Sequence, residues 1–161
     1  MDVQTTLIIG YGNPDRQDDG VAWFILTRLA QELGRPLPTM DEGFFPSQEN
    51  PDLLFVLQLI PELAETIAAY QRICFVDAHT GNVAEEVNVV EVEAEYQRSP
   101  FTHHMTANTC LSLAKTIYGK NPQAILVSVR GYEFGFSHEL SPATHQLAEK
   151  AVAQITDWLA T

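Results

Sequence analysis

Acidic side chains and glycines are concentrated in one short segment, residues 10–20, which follows an apolar run. The segment begins with Gly-x-Gly, a spacing also found in dinucleotide-binding loops, but Asp15 stands where the third glycine of that motif belongs. Asp18 and Asp19 add two more carboxylates, and three negative charges would repel a pyrophosphate. The segment therefore predicts a cation site and no nucleotide cofactor.

Further polar side chains lie at the end of a predicted strand and at the start of a predicted helix. Asp77 ends an apolar run, and His103 and His104 stand just ahead of a helical stretch. A carboxylate at the end of a buried strand is costly to leave unpaired, which favours a functional role for Asp77. Together with Asp19, these side chains supply two carboxylates and an imidazole, which are suitable ligands for a borderline divalent metal ion.

Both pairs of neighbouring residues have a second interpretation. Asp18 and Asp19 precede a helical run, where carboxylates meet free N–H groups and the positive end of the helix dipole. We expect Asp18 to be the helix cap and Asp19 to be the functional member of the pair. His103 and His104 could equally be capping or surface residues. The remaining histidines are less informative, and they are His79, His138 and His145.

The hydrophobic pattern predicts the elements that position these residues. Short apolar, β-branched runs indicate strands at residues 5–11, 53–59, 73–78, 87–93 and 123–129. Apolar residues at helical spacing indicate helices at residues 19–33, after Pro61, at residues 107–118 and after the Ser-Pro pair at 141–142. The proline-rich residues 34–52 are predicted to be irregular, with a short extended piece at residues 37–40.

This order of elements predicts an α/β fold. Residues 79–86 are too few for a crossover helix, so we expect the fourth strand to run antiparallel to the third. The result is a three-layer sandwich: a five-stranded, mostly parallel sheet with one antiparallel strand and helices on both faces. We expect one domain over residues 1–161. Ligands of such sheets bind beyond the carboxyl ends of the strands, where the acidic segment, Asp77 and the histidine pair all leave the sheet.

The amino-acid composition limits the classes of partner that the protein is expected to bind and the cellular compartment in which it is expected. Among 161 residues there are 21 acidic and 9 basic side chains, a formal net charge of -12, which argues against nucleic acid and anionic membranes as partners. Cys74 and Cys110 lack the spacing of a zinc site, and we expect both to be core residues in a reducing compartment. With no signal-peptide pattern and no membrane-length apolar run, we expect a cytoplasmic protein; the oligomeric state is left open.

The order of these motifs resembles that of the hydrogenase maturation endopeptidases, which trim the C-terminal extension of a nickel–iron hydrogenase large subunit. The match covers nearly the whole chain. It includes the strand with Gly-x-Gly-Asn at residues 7–13, Asp-Asp-Gly at 18–20, the strand ending in Asp-Ala at 75–78 and Thr-His-His at 102–104. Leu-Ser-Pro at residues 140–142 also fits.

The resemblance implies roles for individual residues. The carboxylates that sense nickel fall on Asp19 and Asp77, and the histidine falls on His104, with His103 as the competing register. Many members have a Gly-Gly or Gly-Thr turn after the second strand, where this chain has Gln58-Leu-Ile-Pro, so the chain departs from the family at a turn that contacts substrate. Gln58 and His103 are the candidates for substrate contacts. The implied partner is the hydrogenase large-subunit precursor, and the implied nickel is supplied by that precursor.

Two routes to hydrolysis stay open at this point. The metal ion could polarise the scissile carbonyl or activate a water molecule, or one of the carboxylates could be a general base. In either case Asp19, Asp77 and His104 are the predicted catalytic group. The sequence has no GxSxG elbow and no HExxH helix, which excludes hydrolases built on those motifs.

Three other classes of protein share part of this pattern. Peptidyl-tRNA hydrolases also begin with a strand and Gly-x-Gly-Asn-Pro, but they continue with His-Asn-Gly where this chain has Asp18-Asp19-Gly20. A nucleotide-binding protein would need the missing third glycine. A non-enzymatic metal-sensing or chaperone-like domain would keep the same ligands as the endopeptidase.

Overall fold

The computed structural model describes residues 4–36, 50–96 and 105–161. The histidines 103 and 104 and the extended piece at residues 37–40 lie outside these ranges. The strands and helices of the described chain are, in order, β1 (Thr6–Tyr11), α1 (Val21–Leu33), β2 (Asp52–Val56), α2 (Leu63–Ala68), β3 (Arg72–His79), β4 (Val87–Glu91), α3 (Ala107–Tyr118), β5 (Gln123–Arg130) and α4 (Pro142–Leu159).

The five strands form one sheet in the order β2-β1-β3-β5-β4. β1 pairs in parallel with β2 and β3, and β3 pairs in parallel with β5. Only β4 is antiparallel in this sheet of the described residues. The α/β fold and the mixed sheet predicted from the sequence are confirmed. None of the helices in the described ranges is both long enough and apolar enough to cross a membrane.

The fourth strand has the expected direction but a different neighbour. β4 runs antiparallel to the rest of the sheet, yet it pairs with β5, and β5 separates it from β3. β4 therefore lies at the edge, where Val89 and Val90 remain exposed. The second strand ends at Val56 rather than at residue 59, because the exposed Leu57 and Gln58 leave the sheet there.

Alternating side chains of the strands divide the core into two layers. Ile8 of β1 faces a cluster formed with α1 and α4, whereas Leu7 and Ile9 face a cluster formed with α2 and α3. Both layers contain fully buried residues that contribute about 1.5 to 3 kcal/mol each through apolar burial. The helices on both faces complete the predicted three-layer sandwich.

The helices of the described chain differ in how their N-termini are capped. α1 is preceded by a 3-10 turn, Gln17–Gly20, and its N-cap is Gly20, which has no capping side chain. The prediction that Asp18 caps this helix is therefore wrong. α3 and α4 do have side-chain caps: Thr106 accepts from the Thr109 N–H, and Ser141 accepts from the Thr144 N–H.

Candidate functional site

Asp19 is held in place by the chain that precedes it. The Asn13 N–H donates to Asp19 Oδ2 at 2.9 Å, so the loop folds back onto this carboxylate. Gly12 has φ +138, and a Cβ there would lie 2.2 Å from the Asp19 carbonyl oxygen. A Cβ at Gly20 would lie 2.6 Å from Pro14 Cα. These two glycines therefore close a tight loop around Asp19, which accounts for them without a phosphate ligand.

Asp77 lies near the carboxyl end of β3 and is held by two donors. The Ala78 N–H donates to Asp77 Oδ1 at 2.7 Å, and the Tyr11 hydroxyl donates to the same carboxylate. Burial, with a smaller contribution from the charge of Asp19, raises the pKa of Asp77 to about 7 against the opposing effect of these hydrogen bonds. Burial also raises the pKa of Tyr11, which keeps its hydroxyl protonated as a donor.

Both carboxylates line one cavity of about 850 Å³ at the carboxyl ends of the strands. The exposed Gln58 lies on its wall, so three of the predicted site residues are brought together. The N-terminal turn of α3 also lines this cavity. The other lining residues are Tyr11, Gly12, Asn13, Arg16, Leu57, Leu59, Ala78, Met105, Thr106, Ala107, Asn108 and Leu126.

The complete ligand set predicted for a metal ion extends beyond the described ranges. Within residues 4–36, 50–96 and 105–161, no group of three His, Cys, Asp or Glu side chains is arranged to hold a metal ion. Asp19 and Asp77 supply two oxygen donors, whereas His104 and its competitor His103 lie outside the described residues. Met105, the next residue after His104, lines the cavity. The role of each histidine stays a prediction.

The other histidines are engaged elsewhere. His79 is buried, its Nε2 contacts the Glu85 carbonyl oxygen at 3.0 Å, and its Nδ1 accepts from the Gly81 N–H at 3.1 Å. Both ring nitrogens of His79 are therefore used by the backbone. His138 and His145 are exposed and do not line the cavity that holds the two carboxylates.

Asp18 has a structural task that the sequence did not indicate. Its buried carboxylate accepts hydrogen bonds from the backbone N–H groups of Tyr132, Glu133 and Ser141, at 2.8, 2.9 and 2.8 Å. The hydroxyls of Ser141 and Thr144 donate at 2.7 and 2.9 Å. Asp18 thus fixes the segment between β5 and α4, and the start of α4, against the loop that carries Asp19.

These donors also set the ionisation of Asp18. Burial raises the pKa of this carboxyl, but the hydrogen bonds from Ser141, Glu133 and Tyr132 outweigh burial and leave the pKa below its ordinary value. The only sequence signal for the arrangement was the Ser-Pro start of α4. It predicted the start of a helix, but it did not indicate a partner 123 residues away.

The two cysteines are poor candidates for a nucleophile. Cys74 and Cys110 are both free and fully buried. Burial raises the pKa of Cys110 to about 12, and it also raises the pKa of Cys74. Since the thiolate is the nucleophilic form, neither thiol is activated for attack. Both are core residues, as predicted from the sequence.

Comparison with known proteins identifies the fold. No protein-family model matches the sequence, and no curated protein matches it either. Among solved structures, the hydrogenase maturating endopeptidase HybD from E. coli superposes with a TM-score of 0.71 at 20% identity, covering 97% of this chain and 92% of that one. The NiFe hydrogenase maturation protease HycI from Thermococcus kodakarensis KOD1 gives 0.65 at 20% identity, with 98% and 94% covered.

A second protein from the same archaeon agrees with these two. The NiFe hydrogenase maturation protease HybD from Thermococcus kodakarensis gives a TM-score of 0.64 at 20% identity, covering 98% of this chain and 99% of that one. The chain therefore has the fold of these hydrogenase maturation proteases over nearly its whole length. The fold expected from the resemblance of motifs is confirmed.

Proposed function

We propose that this protein is an endopeptidase that removes the C-terminal extension of a nickel–iron hydrogenase large-subunit precursor after nickel insertion. The observation that carries the proposal is the pair of carboxylates, Asp19 and Asp77, which line one cavity at the carboxyl ends of the sheet. The fold supports it, because solved structures with the same fold are described as hydrogenase maturation proteases.

The electrostatics of the two carboxylates favour a cation as their ligand. The charge of Asp19 adds to the burial that raises the pKa of Asp77, so the two anions disfavour each other. A divalent ion between them would remove this repulsion. Nickel suits two carboxylates and an imidazole, and we infer that Asp19, Asp77 and His104 bind the nickel that the precursor presents. His103 is the alternative imidazole.

The residues around the carboxylates orient them before the substrate arrives. The Asn13 N–H holds Asp19, and the Tyr11 hydroxyl and the Ala78 N–H hold Asp77. Such supporting hydrogen bonds fix ligand orientation in metal sites. Nickel is in this view part of the substrate. The exposed amide of Gln58 is the proposed contact to the precursor's backbone, and His103 is a second candidate for such a contact.

The proposed reaction is hydrolysis of one peptide bond. Water adds to the scissile carbonyl carbon, the C–N bond breaks, and a proton from the water passes to the leaving amine. Two ways of activating that water fit the arrangement of side chains. The precursor's nickel polarises the carbonyl or the water, or a carboxylate takes the proton as general base.

The direct test is cleavage of a defined precursor. We expect incubation with nickel-loaded large-subunit precursor to lower the precursor's mass by that of its C-terminal extension, measured by mass spectrometry. Asp19→Asn and Asp77→Asn should abolish this change, because each removes one negative oxygen donor from the site. The matched control is Asp157→Asn, which alters an exposed carboxylate on α4 and should cleave like the wild type.

Each other outcome of this test has a defined meaning. If the protein bound the nickel-loaded precursor without changing the precursor's mass, its function would be that of a chaperone-like, non-enzymatic domain and not that of an endopeptidase. Normal trimming by both Asp variants, with urea unfolding curves like that of the wild type, would reject the assignment of the two carboxylates.

A further inference from the structure

The segment between β5 and α4, residues 131–141, is here called the β5–α4 loop. It carries Phe136, whose side chain is 100% exposed. The other exposed large hydrophobic side chains of the described residues reach at most 63%, at Tyr96. Exposing a phenylalanine to water forgoes about 1.5 to 3 kcal/mol of burial free energy, so full exposure in a fixed loop is unusual.

The loop is fixed on both sides of Phe136. The Gly135 N–H donates to Gln17 Oε1 at 3.1 Å, and the Gln17 N–H donates to the Ser137 carbonyl at 2.9 Å. The Ser137 N–H in turn donates to the Asp15 carbonyl at 3.3 Å. The backbone around Phe136 is therefore tied to the same loop that carries Asp19. A side chain presented from a fixed backbone loses little conformational entropy when it binds a partner.

A second cavity, of about 460 Å³, adjoins this loop. The segment 11–20 contributes to both cavities, since Asp19 lines the first and Gly20 lines the second. The apolar side chains of the second cavity belong to Pro14, to Trp23 and Phe24 of α1, and to Leu140 of the β5–α4 loop. The lining residues are Pro14, Gln17, Gly20, Trp23, Phe24, Thr27, His138, Glu139, Leu140 and His145.

The inference rests on the proposed function. We propose that the β5–α4 loop, with Phe136 at its tip, and the adjoining cavity form a docking surface for the folded body of the hydrogenase precursor. The backbone on both sides of Phe136 is hydrogen-bonded to residues 15 and 17 of the segment that carries Asp19, which places this loop next to the proposed site. Rigid, exposed aromatic side chains of this kind often supply most of the binding free energy at protein interfaces.

The charge of this surface specifies the matching surface of the precursor. Glu133 and Glu139 of the loop are exposed, and so is Asp15, whose Oδ1 lies 3.2 Å from Nδ1 of His138. The precursor should therefore present an apolar pocket for Phe136 with basic residues at its rim. Opposite charges at a rim mainly raise the association rate, and salt screens the effect.

The test is steady-state kinetics with the nickel-loaded precursor. Phe136→Ala should raise KM by about 30-fold and leave kcat within a factor of two, because it removes an anchor that does not line the cavity of Asp19 and Asp77. Phe136→Trp should restore KM to within about threefold of the wild type. The matched control is Ile117→Ala on α3, a side chain 61% exposed, which should leave both constants unchanged.

A charge reversal tests the basic rim independently. Glu139→Lys should lower kcat/KM by about tenfold at low salt, and the deficit should shrink as salt is added. The matched control, Asp157→Lys on α4, should have little effect. If wild type trims the precursor but Phe136→Ala and Glu139→Lys trim it with unchanged KM, the docking surface is rejected and the proposed function stands. If wild type does not trim it, the proposed function fails first.

Discussion

Asp18 and Asp77 have opposite pKa shifts, and the difference comes from their hydrogen-bond donors. Asp18 accepts from three backbone N–H groups and two hydroxyls, which hold its pKa below the ordinary range despite burial. Asp77 accepts from one N–H and one hydroxyl and faces Asp19, so its pKa rises to about 7. Asp18 is thus a structural anion at neutral pH, whereas Asp77 is a carboxyl group whose ionised form a cation would stabilise.

The structural role of Asp18 leads to a stability prediction. Asp18→Asn should lower the free energy of unfolding by about 3 kcal/mol at pH 7, because several buried donors lose a charged acceptor. The folded pKa of Asp18 lies below its unfolded value, so its contribution is complete above about pH 4 and is lost as pH falls further. The difference between variant and wild type should therefore narrow in acid, as measured by urea unfolding between pH 7 and pH 3.

The exposed Asp15 provides the control for this measurement. Asp15→Asn removes a carboxylate from the same loop, and it should change the free energy of unfolding by less than about 0.5 kcal/mol. A difference between Asp18→Asn and wild type that stayed constant from pH 7 to pH 3 would contradict the assigned ionisation of Asp18.

The sequence predicts the positions of Asp19 and Asp77, but it does not predict the role of Asp18. Asp19 and Asp77 were placed at one edge of the sheet because parallel strands end together, and both line the same cavity. The role of Asp18 was not visible, because its partners Tyr132, Ser141 and Thr144 follow it by 114 to 126 residues. Local patterns describe caps and strand ends, but they do not describe such distant hydrogen bonds.

At the scale of elements, two helices end by the same device. α1 ends at Gly34 with φ 66, and α3 ends at Gly119 with φ 67, and both glycines have open space where a Cβ would be. A left-handed conformation is strained for residues with a Cβ, which explains the glycine at each end. The helix predicted from the sequence at residues 107–118 has these bounds in the structure.

At Gly119, the free-energy cost of backbone strain can be measured without a contribution from steric clash. Gly119→Ala should lower the free energy of unfolding by about 1 to 2 kcal/mol, since the added methyl group meets no atom and only the left-handed backbone is penalised. Lys120→Ala, at the exposed next position, is the control and should be near neutral. Thermal or urea unfolding measures both. A neutral Gly119→Ala would show that the C-cap relaxes without cost.

The order of elements was predictable, whereas the neighbour of β4 was not. Alternating apolar runs and helical stripes indicate βα units, and a short connection indicates that the strand direction reverses. The same pattern does not say where the reversed strand lies. β5 pairs with β3 along the full length of β3, from Arg72 to His79. β4 therefore pairs with the other edge of β5.

At the scale of the whole molecule, the formal net charge of -12 opposes the compact state. Arg28 does contact Glu149 at 3.2 Å and Glu32 at 3.9 Å, but these are surface ion pairs that contribute little. Raising the ionic strength from about 0.01 M to 0.15 M shortens the screening length from about 30 to 8 Å. We therefore expect the urea midpoint to rise with added sodium chloride. A falling midpoint would indicate that attractive pairs outweigh the general repulsion.

The strand order β2-β1-β3-β5-β4 has a consequence for how the chain is made. β4 leaves the ribosome before β5, yet β5 is the strand that must enter between β4 and β3. Until Gln123–Arg130 has emerged, β3 has one open side and β4 has no partner. Open strand edges invite association with other chains. In the nascent protein, β3 therefore gains its second neighbour only after β5 has been translated. Asp19 and Asp77, the carboxylates of the proposed site, are translated well before β5.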